Sequence, residues 1–218
     1  MDAKICGIKD PKTLSYLINH NFPPKYIGFI TNYPQSKRYL EYKNLKQLIN
    51  VDKKGINFVS VLVNPSEENL ENIKGLNFDY YQLYDVSPKK TKLIKDKYKI
   101  KIITALTIKN IKDVKEYKEY QNVSEIILFD SKGYEKSASF DHKLLKNVPT
   151  FINKMLAGNI QYNDNLDKYK KITDIIDISG SLETAGDKDI SKINIFLNNI
   201  NKIKNENKKK NPINRPTW

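Results

Sequence analysis

The sequence predicts an α/β protein folded as a single (β/α)8 TIM barrel, and three observations carry that prediction. Short β-branched or aromatic runs alternate with longer helical patterns along the chain. The alternation recurs about eight times within 218 residues, a length that α/β barrels reach as one undivided domain. No linker or break in composition interrupts it, which favours a barrel over an open doubly wound sheet.

Taken in order, strands are expected at residues 3–6, 26–30, 58–63, 80–83, 100–105, 125–129, 151–156 and 175–178. Each is short, rich in Ile, Val, Phe or Tyr, and bounded by polar or Gly/Pro punctuation. A helix should follow each strand. That at 66–73 opens on Ser66 as N-cap with Glu67 and Glu68 in its first turn. That at 189–203 places Ile190, Ile193, Phe196, Leu197, Ile200 and Ile203 on one face. Residues 1–205 form the catalytic barrel, and 206–218 read as a polar, basic, flexible tail.

The net charge of +13 does not predict a nucleic-acid partner. Of 38 basic residues only Arg38 and Arg215 are arginine, the residue whose planar fork reads bases and phosphates. The lysines are spread through every predicted helix, as on a solvated surface. No apolar run approaches the roughly 20 residues needed to span a bilayer, so no membrane partner is expected. Charges at Asp2, Lys4, Lys9 and Asp10 interrupt any secretory signal. One cysteine forms no internal disulfide, which fits a reducing cytoplasm. Cys6 with only His20 and His142 makes a poor metal set.

Barrel topology places chemistry at the C-terminal ends of strands. There the sequence offers Cys6, the stretch from Asn32 to Arg38, Asn64, Gln82 to Asp85, Asp130, Gly158-Asn159 and Ser179 to Ser181. Cys6 at a strand tip can be a nucleophile, a general base or a metal ligand, although free cysteines are often simply buried. Arg38, alone among lysines in the body of the chain, suits bidentate capture of a carboxylate or phosphate. Asp130 closes an apolar strand, where a raised pKa would make it a general acid and a capping role is the alternative. Gly158-Asn159 and Ser179-Gly180-Ser181 follow the seventh and eighth strands, the usual anion site of such barrels.

These residues resemble the phosphoribosylanthranilate isomerase family of tryptophan biosynthesis over nearly the whole chain up to about residue 203. The matching stretches are Lys4-Ile5-Cys6-Gly7-Ile8, Gly28-Phe29, Ser36-Lys37-Arg38-Tyr39, Gln82-Leu83 and Leu128-Phe129-Asp130. Leu156-Ala157-Gly158-Asn159 and Asp177 through Glu183 to Gly186, Lys188 and Asp189 complete them. The resemblance implies an aldose–ketose isomerase performing the Amadori rearrangement of N-(5′-phosphoribosyl)anthranilate to the 1-deoxyribulose isomer. Asp130 would match the general acid, Cys6 the general base and Asp177 an ancillary carboxylate. Arg38 would grip the anthranilate carboxylate, with Gln82 also beside the substrate. Gly158, Asn159, Ser179, Gly180 and Ser181 would cradle the phosphate. An electropositive mouth would depress the thiol pKa of Cys6. The rearrangement is internal to the substrate, so it implies neither metal nor nicotinamide. The molecule would act as a monomer or homodimer.

The chain departs from the family where Tyr84-Asp85 replaces His-Gly, where Ser137-Ala138-Ser139 replaces a Gly-rich turn, and at Asn159 and Gly180. Two other functions remain in view: a decayed phosphate-binding barrel that serves only as a binding protein, and a related isomerase of the histidine pathway. The second usually carries aspartate where Cys6 stands.

Overall fold

The computed structural model describes residues 1–131 and 140–210, with side chains to residue 206. Eight parallel strands close into a barrel in sequential order. They are β1 (Asp2–Cys6), β2 (Tyr26–Ile30), β3 (Asn57–Val63), β4 (Tyr80–Tyr84), β5 (Lys101–Ile108), β6 (Ile126–Ser131), β7 (Lys154–Leu156) and β8 (Ile175–Ile178). β1 pairs with β2 on one side and closes onto β8 on the other, with Lys4 opposite Asp177. All eight expected strands are present. The seventh is shorter than expected: it begins at Lys154, and Phe151 points outward, 77% exposed.

The helices are α1 (Pro11–Ile18), α2 (Tyr42–Leu48), α3 (Glu67–Ile73), α4 (Pro88–Tyr98), α5 (Ile111–Lys115), α6 (Tyr117–Tyr120) and α7 (Ile190–Lys210). Their starts are written locally. Asp10 accepts from the Thr13 N–H, 2.8 Å away, ahead of Pro11, and Ser66 with Asn69 forms a capping box. After β6 and β7 the expected α-helices are replaced, among the described residues, by 3₁₀ turns at His142–Asn147 and Leu166–Tyr169. The first turn is confined between its Asp141 cap and Pro149, which disfavours helical backbone at Val148. α7 runs past the expected end at residue 203 to Lys210, so 206–210 continue the helix. Residues 211–218 of the expected tail, and the Ser137-Ala138-Ser139 segment, lie outside the described residues. Among the described residues no helix is long and apolar enough to cross a membrane.

Two apolar clusters follow from the period-2 alternation of strand side chains. The larger fills the space between strands and helices. The smaller fills the barrel and takes every second residue: Val59 and Val61, Ile103 and Ala105, Ile126 and Leu128, Met155 and Ala157. Continuing that alternation by two residues carries Asp130 from Leu128 and Asp177 from Ile175 to the inner face of the C-terminal end.

Candidate active site

A cavity of about 550 Å³ opens at that end. Its lining includes Cys6, Arg38, Tyr84, Asp130, Asp177 and the loop residues Gly158, Asn159, Ser179, Gly180 and Ser181. Nine of the ten residues expected at the site therefore border one space. Gln82 is the exception and does not line the cavity. It lies one inward layer below Tyr84, 1% exposed, and its Nε2 donates to Tyr84 Oη at 3.2 Å. The tyrosine roofs it over.

Cys6 sits at the end of β1 with 9% exposure. Burial pushes its thiol above the ordinary value of 9.0, while Lys4 and Lys188 pull it down and Asp177 pushes it up. The expected depression is thus corrected: the two ammonium groups do not offset the loss of water. Lys4, also inward on β1, is fully buried and donates to Asp177 Oδ2 at 2.7 Å. Burial alone would lower the Lys4 pKa, but Asp177 and Cys6 hold it above its usual value. On Asp177 burial prevails: its pKa is raised above the ordinary carboxyl value even though Lys4 and Lys188 pull it down.

Asp130 on β6 has its pKa raised to about 6, chiefly by burial and also by Asp177. A hydrogen bond from Tyr84 Oη to Oδ2, 2.9 Å long, works in the opposite direction. A carboxyl with that value keeps a minor but usable fraction of its protons near neutrality, far more than an ordinary aspartate, as suits a general acid.

Arg38 approaches over Gly7, whose φ is +76° and where an added Cβ would lie 2.3 Å from Arg38 Cδ. Its fork does not stand open as expected. Nε and Nη2 donate to the two carboxylate oxygens of Glu183 at 2.5 and 2.8 Å. Glu183 starts a hairpin of β9 (Glu183–Thr184) and β10 (Asp187–Lys188), and its Oε1 also accepts from Lys188 Nζ at 2.6 Å. Burial would raise Glu183, but Arg38 and Lys188 hold it below the usual carboxylate range. Lys188 further donates to the Ser179 carbonyl at 3.0 Å, fixing the loop after β8.

The loop after β7 turns sharply through left-handed backbone. Gly158 adopts φ +95°, and a Cβ there would meet Ser131 Oγ at 2.8 Å. Asn159 follows at φ +52°, a left-handed conformation that asparagine tolerates well. Ser179 Oγ donates to the Cys6 carbonyl at 2.9 Å. Ser181 Oγ is buried with no hydrogen-bond partner among the described residues, which leaves a polar atom for a ligand to satisfy.

Sequence reasoning assigned no role to Lys4, Tyr84, Glu183 or Lys188. The signal for Tyr84 was its place two residues after Gln82 on an inward face; for Lys4 it was a charge at an inward position of an apolar strand.

The family model described as N-(5′-phosphoribosyl)anthranilate (PRA) isomerase matches residues 3–199. A curated N-(5′-phosphoribosyl)anthranilate isomerase of Agrobacterium fabrum is 29% identical over 212 residues, covering 92% of this chain and 94% of that protein. One from Thermoanaerobacter pseudethanolicus is 29% identical over 210 residues, covering 93% and 98%. The crystal structure of phosphoribosyl anthranilate isomerase from Thermotoga maritima superposes with a TM-score of 0.81 at 23% identity, covering 93% of this chain and 99% of that one. A phosphoribosyl anthranilate isomerase solved in complex with reduced 1-(o-carboxyphenylamino)-1-deoxyribulose 5-phosphate gives 0.79 at 22% identity, covering 93% and 99%.

Proposed function

The chain belongs to the N-(5′-phosphoribosyl)anthranilate isomerase family, and on that premise we propose how its own residues carry out the isomerisation. The reaction is the Amadori rearrangement of N-(5′-phosphoribosyl)anthranilate in tryptophan biosynthesis. The family match favours this substrate over the histidine-pathway relative.

In our reading Asp130 gives its proton to the ribose ring oxygen. The C1′–O bond breaks and the anthranilate nitrogen forms a Schiff base at C1′. Cys6, as thiolate, takes the C2′ proton, and the resulting enolamine tautomerises to the ketone. One observation carries the assignment. Asp130, with a pKa of about 6, and Cys6, with Lys4 at its side, border the same cavity. Asp177, paired with Lys4, supports the electrostatics of the reacting sugar. Arg38 keeps the edge formed by Nη1 and the outer Nη2 hydrogen for the anthranilate carboxylate, because Glu183 occupies the other edge. Gly158, Asn159, Ser179, Gly180 and Ser181 hold the phosphate, Ser181 through its unpartnered hydroxyl.

The same reading makes the protein a cytoplasmic enzyme, monomeric or homodimeric, that takes a phosphosugar and neither nucleic acid nor membrane. A single cysteine supports the compartment. A dimeric relative from Thermotoga maritima supports the second oligomeric state. The test is turnover, followed as loss of substrate fluorescence. Turnover supports the reading. Its absence, with a phosphate analogue still bound, would favour the decayed barrel.

A further inference from the structure

The second inward layer of β4 and β6 holds a hydrogen-bonded line that ends on the acid. Gln82 Nε2 donates to Tyr84 Oη at 3.2 Å, and Tyr84 Oη donates to Asp130 Oδ2 at 2.9 Å. A phenol has one proton to give. Because Gln82 approaches the phenol oxygen as a donor, the hydroxyl proton of Tyr84 is turned toward Asp130. Gln82 is itself buried, 1% exposed, and its Oε1 has no hydrogen-bond partner among the described residues.

We propose that Tyr84 is a positioning residue for this reaction: its hydroxyl, oriented by Gln82, engages Oδ2 of Asp130 and leaves Oδ1 to carry the proton to the substrate. The inference rests on Asp130 being the general acid. An unrestrained carboxyl can place its proton on either oxygen and rotate; one anchored at Oδ2 presents a single oxygen to the cavity. The anchor also sets when the acid is charged. Tyr84 stabilises the carboxylate, and so do the Ser131 N–H and Lys4, while burial and Asp177 favour the acid. Tyr84 itself stays protonated, its pKa pushed well above the ordinary value by burial and the neighbouring Asp130, Asp177 and Cys6. It is a donor at every working pH.

The test compares the full chain with Tyr84→Phe, Gln82→Met and Asp130→Asn. The Asp130 carboxyl is titrated by carbon NMR, and kcat/KM is measured across pH. Tyr84→Phe should move the Asp130 titration, and the lower break of kcat/KM with it, upward by about one pH unit. Gln82→Met keeps the phenol but frees its hydroxyl to rotate, so it should move both the same way by less. If Tyr84→Phe does not fold, the Gln82→Met shift decides. Titrations that stay where the wild type has them overturn the proposal and leave the tyrosine as a filler. Wild-type turnover by Asp130→Asn overturns the acid assignment itself, a result separable from an unmoved Tyr84→Phe profile.

Discussion

Lys4 Nζ and Asp177 Oδ2 meet 2.7 Å apart, with side-chain exposures of 0% and 6%, across the seam between the first and last strands. An isolated charge at that depth would be driven to neutralise; each partner offsets part of the other's loss of water. Lys4→Met should therefore lose about 3–5 kcal/mol in urea unfolding, because Asp177 is left buried and uncompensated. Adding Asp177→Asn should recover most of that stability while turnover stays low. A double variant no more stable than Lys4→Met would show that the pair is not the source of the loss.

Asp130 titrates at about 6 and burial pushes the Cys6 thiol above its ordinary value, so the carboxyl ionises before the thiol. Protonated Asp130 and ionised Cys6 then coexist in only a small fraction of free molecules. Below about 6 the rate rises with pH as the thiol ionises. Between the two values the opposing titrations cancel. Above the thiol's value the rate falls as Asp130 loses its last protons. The expected kcat/KM profile is a broad plateau whose lower break belongs to Asp130 and whose upper break belongs to Cys6. Iodoacetamide alkylation of Cys6 should share the upper break. An alkylation break below neutrality would refute the order.

Asp130 binds its proton more tightly in the folded protein, at about 6, than an unperturbed carboxyl does at 3.8. Native protein thus holds more protons than unfolded chain between those values, and stability falls as pH rises through them. The penalty persists at higher pH. Asp130→Asn should stabilise the fold above neutrality by up to about 2 kcal/mol, after allowance for the lost Tyr84 hydrogen bond, with no gain below pH ~4. Melting curves at the two pH values check this, and kcat should fall by about 100-fold or more.

Gly28 stands opposite Cys6 in the β1–β2 register, and an added Cβ would lie 2.8 Å from Cys6 Sγ and 3.2 Å from Lys4 Nζ. Gly28→Ala keeps an ordinary strand conformation, so the fold should lose little. The thiol and ammonium must shift, and kcat should drop by about 10-fold or more with KM moved less. Unchanged kcat would mean that the thiol is not the base.

Legibility followed the distance over which each feature is determined. Strands and caps depend on neighbours in sequence, so β1, β2, β8 and the Ser66 cap stand where the pattern placed them. Strand tips fix which residues reach the mouth, so Cys6, Asp130 and both loops were readable from topology. Pairings between distant segments were not. Arg38 taking Glu183, 145 positions on, and Lys4 taking Asp177, 173 positions on, follow only from barrel closure. The raised thiol of Cys6 belongs with these, because the balance between burial and two lysines depends on where the lysines lie. That Gln82 stands back from the cavity, bonded to Tyr84 two positions on, was not legible either.

The seam between β1 and β8 also sets an order of events during synthesis. Cys6 leaves the ribosome well before Asp177 and Ser179, which contact Lys4 and the Cys6 backbone and come some 173 residues later. At roughly 5–20 residues per second, the nascent chain carries its thiol for about 10 s or more before those partners exist. A truncated or stalled chain, however well its early strands pair, exposes a lone reactive sulfur and a lone buried-type lysine. A thiol on the first strand of the barrel acquires its full surroundings only when the eighth strand arrives.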